Sequence, residues 1–158
     1  MNLVYLNYFT AVLLDLFFAG IETTSTALSW SVVYMIKYPE VQKKVQKEIL
    51  TTIGQSRHVR MNDKSNLPYT EAVIQELLRM TCLAPLALPH WISADMEVNG
   101  VRLTKGTMVF PNLHRITRNP QAFPNPNEFH PERFLDSNGK YVKNELNIPF
   151  GIGRYFHE

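Results

Sequence analysis

The feature that most constrains this chain is its opening, because residues 1–36 contain Asp15 and Glu22 but no Lys or Arg. From about Tyr8 to Lys37 the residues favour a helix, with Leu13, Leu14, Phe17, Phe18, Ile21, Leu28, Val32, Tyr34 and Met35 spread around most of its circumference. A helix that is apolar nearly all round belongs inside a core, so a buried, central helix is expected. The run from Leu3 to Gly20 lacks the basic start and small-residue cleavage site of a secretory signal. Asn7 and Asp15 leave it short of the roughly 20 clean apolar residues of a membrane span, so no transmembrane segment is expected. Within this greasy rod, Ala19-Gly20-Ile21-Glu22-Thr23-Thr24-Ser25-Thr26 is a small, polar patch of poor helix formers. Such local rule-breaking often marks function.

The remainder is balanced in charge and sufficient in apolar content. All sixteen basic side chains lie from Lys37 onward, against twelve of the fourteen acidic ones, for a net charge of +2 over the 158 residues. That balance offers no electrostatic case for a nucleic-acid partner. With 45% apolar and 19% charged residues, the chain can build a core and is of a size for a single domain over residues 1–158. The single Cys82 excludes an internal disulfide and a cysteine-based zinc site, and it reads as a small core residue. His90, His114, His130 and His157 are dispersed without metal-ligand spacing, so no metal site is expected from them.

Tyr38-Pro39-Glu40 reads as a stop followed by Pro at the first position of a new helix over residues 39–53. Val41, Val45, Glu48 and Ile49 form its inner face, Lys43, Lys44 and Lys47 lie outward, and Gly54 fits the stop. A polar loop is expected from Gln55 to Asn66, then a third helix from Pro68 to about Thr81 with Val73, Ile74, Leu77, Leu78 and Met80 as its apolar set. From residue 84 onward, where eight of the ten prolines fall, punctuation replaces periodicity. Met96 to Leu103 alternates around Asn99-Gly100, the signal of a hairpin with a two-residue turn. Lys105-Gly106 turns the chain again into Thr107 to Pro111. Residues 119–136 hold too many prolines for regular structure but carry Phe123, Phe129 and Phe134, so an aromatic-anchored loop is expected. The fold class is therefore mainly α with a small β-hairpin region.

Three groups of residues carry possible chemistry. Glu76 and Arg79, three apart on a helix, suit an ion pair whose ordinary reading is a weak, solvated one. Arg133, in Pro131-Glu132-Arg133-Phe134, reads alone as a surface charge, yet a guanidinium has donors enough to bridge a helix carboxylate and a loop. Glu22 and Thr23, next to Gly20, suit a proton relay beside a flat ligand, or else a polar patch packed on another helix. Thr23 can also bond back to the preceding turn. Phe150-Gly151-Ile152-Gly153-Arg154 is a Gly-rich loop without the features of a phosphate or dinucleotide site.

Taken in order, these motifs resemble the cytochrome P-450 haem-thiolate monooxygenases of the microsomal animal type. Ala19-Gly20-Ile21-Glu22-Thr23-Thr24 matches the family's Ala/Gly-Gly-x-Asp/Glu-Thr-Thr in the long helix on the distal side of the haem. Glu76-Leu77-Leu78-Arg79 matches Glu-x-x-Arg, and Pro131-Glu132-Arg133-Phe134 matches Pro-Glu-Arg-Phe. Phe150-Gly151-Ile152-Gly153 matches the start of Phe-x-x-Gly-x-Arg-x-Cys-x-Gly. The resemblance runs over about residues 10–154 and implies a partial fold of that family.

It also implies roles. Glu22 and Thr23 would serve proton delivery during oxygen activation, and Ala19 and Gly20 would give the haem room. Glu76, Arg79 and Arg133 would form a structural triad on the proximal side, His90 would contact a haem propionate, and Phe150, Gly151 and Gly153 would open the cysteine loop. The implied activity is insertion of one oxygen atom from O2 into a small lipophilic substrate. Haem is the implied cofactor, an NADPH-cytochrome reductase the implied partner, and the endoplasmic reticulum membrane the implied location of the full-length family. In the family register the iron-ligating Cys falls at His157, and a one-residue slide puts it at Phe156. Neither supplies a thiolate, so inactivity of this chain alone is expected. The alternative is a haem-free helical module that binds a partner through Leu14, Phe17 and Phe18.

Overall fold

A computed structural model describes residues 3–149 and 151, with the backbone alone for 3 and 4. Four α-helices and four short strands follow one another along the chain: α1 (Leu3–Lys37), α2 (Pro39–Thr52), α3 (Pro68–Thr81), β1 (His90–Trp91), β2 (Met96–Val98), β3 (Val101–Leu103), β4 (Met108–Val109) and α4 (Leu113–Thr117). The chain is mainly α, as its periodicity predicts.

Helix α1 runs unbroken through its polar patch and starts at Leu3 rather than Tyr8. Its hydroxyls are absorbed by the turn before them: Thr23 Oγ1 donates to the Ala19 carbonyl at 2.7 Å, Ser25 to Ile21 at 2.7 Å and Ser29 to Ser25 at 2.8 Å. That back-bonding satisfies the side chains without interrupting the helix. The expectation of a buried central helix is corrected along most of its length, since residues 5–25 are exposed, Phe18 by 72% and Phe17 by 63%. The physical reason is contact: α2 and α3 reach only the last turns, where Tyr34 and Met35 pack on Val41, Val73, Leu77 and Phe129. Counted over Tyr5–Lys37, mean hydropathy in the most apolar stretch reaches 1.4, so α1 is long and apolar enough to cross a membrane despite Asn7 and Asp15. Core helices pass the same test of length and composition.

Helices α2 and α3 follow their proline starts closely. Neither has a capping side chain of its own, and α3 borrows one from α2. The Glu48 carboxylate accepts from the Tyr69 and Thr70 amides at 2.8 and 2.7 Å and from the Thr70 hydroxyl at 2.6 Å. A carboxylate on otherwise unpaired N–H groups at a positive helix end both satisfies donors and meets the dipole. The Gln55–Asn66 segment, expected as a loop, contains a 3₁₀ turn at Met61–Asn66. Asp63 holds it by accepting from the Arg60 amide and from both terminal nitrogens of Arg57, each at 2.7 Å.

Beyond α3 the chain turns at Cys82, which is buried with φ 41°. The Asn99-Gly100 hairpin forms as expected, with Val98 opposite Val101, Glu97 opposite Arg102, and positive φ at both turn residues. That pair of angles is what a two-residue turn needs to follow strand twist. A second antiparallel pair, His90 with Val109 and Trp91 with Met108, goes beyond the sequence reading. So does α4, capped by the Asn112 side chain on the Arg115 amide at 2.9 Å. The proline-rich segment, expected to be irregular, takes one 3₁₀ turn at Pro131–Phe134. Its phenylalanines anchor it as predicted: Phe123 and Phe134 are buried with Ala72, and Phe129 sits between Tyr34 and Tyr38 with ring centroids 4.7 and 4.9 Å away.

Candidate functional site

The most heavily bonded polar centre lies where α3 meets the proline-rich segment. Glu76 and Arg79 point inward from one face of α3, and neither side chain has any exposed surface. Arg79 grips the carboxylate with two bonds, Nε to Oε2 at 2.7 Å and a terminal nitrogen to Oε1 at 2.8 Å. It also donates to backbone carbonyls of Thr117 and Pro126, both at 2.8 Å, to the Met80 Sδ at 2.9 Å and to the Glu128 carbonyl at 3.3 Å. Arg133 approaches from the 3₁₀ turn, its Nε 3.1 Å from Glu76 Oε1 and its terminal nitrogens on the carbonyls of Pro124, Asn125 and Glu128. The His130 amide completes the shell of Glu76 at 2.9 Å. The ordinary reading of Glu76 and Arg79 as a solvated pair is thereby replaced by a buried one.

Burying this many charges is costly unless every donor and acceptor is met. Here the planar forks of two arginines are filled by one carboxylate and by backbone carbonyls of the proline-rich segment and of Thr117. Arg79 also lies 5.2 Å from the centroid of the Phe123 ring, which joins the charged centre to the aromatic one.

A third guanidinium belongs here that no motif flags. Arg118 donates to the Met80 carbonyl at 2.7 Å and the Pro126 carbonyl at 3.2 Å, tying the end of α3 to the same loop. Burial, and next the Arg79 charge, lower its pKa from the usual arginine value. Its only trace in the sequence is a basic residue just before Asn119-Pro120, too common a pattern to single out.

Glu132 faces the other way, toward α2. Its Oε1 lies 2.6 Å from Lys44 Nζ and 3.3 Å from the Tyr69 hydroxyl, and its Oε2 lies 3.5 Å from His130 Nδ1. Burial raises its pKa, but the Lys44 hydrogen bond, a backbone hydrogen bond and the Lys44 and His130 charges together outweigh burial and hold the carboxyl below the usual range. Burial, and then Glu132, push the Tyr69 hydroxyl up.

The other candidate residues stand apart from this centre. Ala19, Gly20, Glu22 and Thr23 are exposed on α1, and a Cβ placed on Gly20 would meet nothing within 4 Å. No hydrogen bond or ion pair among the described residues links the Glu22 carboxylate to another element. His90 is half-buried on β1. Gly151 has φ 81° and donates to the Ile148 carbonyl at 2.9 Å. Phe150, Gly153 and His157 lie outside the described residues. The structure thus joins Glu76, Arg79 and Arg133 and leaves the α1 residues separate.

Neither the centre nor the α1 patch offers a metal site as it stands. Among the described residues no group of three or more His, Cys, Asp or Glu side chains is placed to hold a metal ion. The chain's one cysteine is buried at the end of α3, its turn fixed by backbone bonds. What the arginine centre does chemically is hold: it contains no nucleophile and no carboxylate free to exchange a proton with a ligand.

A comparison with known proteins agrees with the motifs. The family model described as Cytochrome P450 matches residues 6–156. Cytochrome P450 2D20 of Mesocricetus auratus is 47% identical over 143 residues, which is 90% of this chain and 29% of that protein. Cytochrome P450 2U1 of Homo sapiens is 44% identical over 148 residues, 94% of this chain and 27% of that protein. The chain spans less than a third of the length of these curated relatives. With the family model covering most of its residues, the chain belongs to the cytochrome P450 family.

Proposed function

We propose that these 158 residues form one partial domain of a microsomal haem monooxygenase, reaching from the distal helix to the start of the cysteine loop. The longer protein would insert one oxygen atom from O2 into a small lipophilic substrate at the endoplasmic reticulum membrane, with electrons from an NADPH-cytochrome reductase. In it, haem supplies oxygen activation, and thiolate ligation is what favours O–O cleavage. This chain alone does not complete such a site. Its register offers His157 or Phe156 where the family has cysteine, and Cys82 is committed to the end of α3. No proton transfer is therefore assigned here to Glu22 and Thr23, whose proposed roles belong to a protein that supplies the thiolate. The same holds for Ala19, Gly20, His90, Phe150, Gly151 and Gly153 as haem contacts.

What this chain's residues do is scaffold. The observation that carries the reading is the buried centre of Glu76, Arg79 and Arg133, which clamps the Pro124–Glu128 backbone to α3. A loop held this way can present a rigid surface under a flat cofactor. A second reading, a haem-free module that binds a partner helix, draws on the exposed apolar face of α1 around Leu14, Phe17 and Phe18.

Haem titration of the purified 158-residue protein tests the proposal through the reduced, carbon-monoxide-bound spectrum. The expected result is no saturable binding. A thiolate-type Soret band that disappears in Cys82→Ser would overturn it. A histidine-type band lost in His157→Ala would also contradict the absence of binding and redefine the ligand.

A further inference from the structure

The chain carries two Asn-Gly pairs, Asn99-Gly100 and Asn138-Gly139, and both asparagines are exposed. An asparagine followed by glycine is open to attack by the glycine's backbone nitrogen on its own side-chain amide carbon, because no Cβ hinders the approach. The attack forms an N–C bond, expels ammonia and leaves a five-membered succinimide. Water then opens that ring at either carbonyl, giving aspartate or isoaspartate. No oxidant or reductant enters the sequence.

Both sites share the Asn-Gly step, with Val98 before one and Ser137 before the other, and the surrounding structure separates them further. At Gly139 the nucleophile is engaged: its N–H donates to the Asp136 carbonyl at 3.0 Å. The Asp136 carboxylate also accepts from the Asn138 and Lys140 amides at 2.8 and 2.9 Å, closing a small ring of bonds around the asparagine. That ring sits on a bridge between Leu135 and Tyr141, two residues packed against buried Ala72, Phe123 and Phe134. A fixed negative charge beside the amide also opposes the deprotonation that attack requires.

Gly100 has none of this restraint. No hydrogen bond from its N–H to another described residue is present. Its hairpin has only two strands, β2 is exposed throughout, and β3 is exposed at Val101 and Arg102. A lone two-stranded hairpin is marginal in water, so local opening that lets Asn99 leave its φ of 49° is frequent.

We propose that Asn99 is a site of spontaneous deamidation, converting the hairpin turn to aspartate and isoaspartate, while Asn138 is held unreactive by the Asp136 ring. Isoaspartate lengthens the backbone by one carbon between Val98 and Val101, so the Glu97–Arg102 register is lost with it.

The test is incubation of the full 158-residue chain at neutral pH and physiological temperature, with peptide mass spectrometry of both sites over time. Isoaspartate is counted by enzymatic carboxyl methylation. Asn99 is expected to convert roughly tenfold faster than Asn138, the ratio set by the difference in local opening. Asn99→Gly, which keeps a residue at ease with positive φ, is expected to remove most methyl acceptance. Asp136→Ala is expected to speed conversion at Asn138 and leave Asn99 unchanged. Equal rates at the two sites, a faster Asn138, or an Asn138 indifferent to Asp136→Ala would each overturn the proposal.

Discussion

Two stretches of helix in this chain meet opposite fates, and the more apolar of the two is the less buried. Residues 5–25 of α1 expose Phe9, Leu14, Phe17, Phe18 and Ile21 over half or more of their surface, while α3 buries Ala72, Val73, Leu77 and even the charged Glu71, Glu76 and Arg79. The difference lies in what the rest of the chain returns to each face. α3 is met by α2, by the end of α1, by the 3₁₀ turn at Pro131–Phe134 and by the arginine-clamped loop. The first half of α1 receives nothing comparable from the described residues. Helical propensity and apolarity build a helix, but only a returning partner decides whether it is core.

The contrast can be broken most severely at its charged centre. Glu76→Gln leaves Arg79 and Arg133 buried against a neutral amide, and unpairing buried charges costs about 3–5 kcal/mol. Urea denaturation followed by circular dichroism is expected to show the α3 transition shifted by that amount or lost altogether. A variant as stable as the parent would mean that the guanidiniums are satisfied by backbone carbonyls alone.

A matched pair of substitutions sharpens the comparison directly. Leu77→Ala, at a site 8% exposed, is expected to cost about 2–4 kcal/mol because a cavity is left behind. Leu14→Ala, at a site 52% exposed, is expected to stay within about 0.5 kcal/mol. Equal effects in the same denaturation series would place both leucines in one core.

The link between α2 and α3 is smaller. Removing the carboxylate that caps α3, as in Glu48→Ala, is expected to cost about 1 kcal/mol, comparable to loss of an N-cap. Smaller still is the Lys44–Glu132 pair, whose side chains are 56% and 35% exposed. Screening by solvent keeps its contribution below about 1 kcal/mol. The folded pKa of Glu132 lies below its usual 4.5, so the pair's contribution is present above that value and fades as pH falls through the folded pKa. Lys44→Ala is therefore expected to lose the pair's small contribution, below about 1 kcal/mol, at neutral pH, and to converge with the parent as pH falls through the folded pKa of Glu132, which flattens the acid limb of the stability profile. A neutral-pH loss as large as that of Glu76→Gln would contradict the solvent-exposed description.

How much of this was legible in the sequence follows from how local each signal is. Pro39 and Pro68 mark helix starts through their own dihedral angles, and Asn99-Gly100 sets a turn without help from distant residues. The meeting of Glu76, Arg79 and Arg133 was reachable only through their family motifs, since spacing alone does not bring residue 133 to residue 76. Arg118 and the pairing of His90–Trp91 with Met108–Val109 depend on contacts between distant segments and left no local trace. The exposure of α1 escaped for a related reason: an all-round apolar pattern records what a helix can bury, not what is present to bury it. At the haem-related positions the legible part was chemical, namely the absence of a cysteine at either register of the final loop.

The measurement that bears most directly on the account is native-state hydrogen exchange compared along the chain. Amides of α3 from Glu71 to Arg79 are predicted to be the slowest, exchanging only on global unfolding, and those of residues 5–25 to exchange through local fraying, faster by orders of magnitude. Equal protection along α1 and α3 would contradict the division into a clamped scaffold and an uncovered helix.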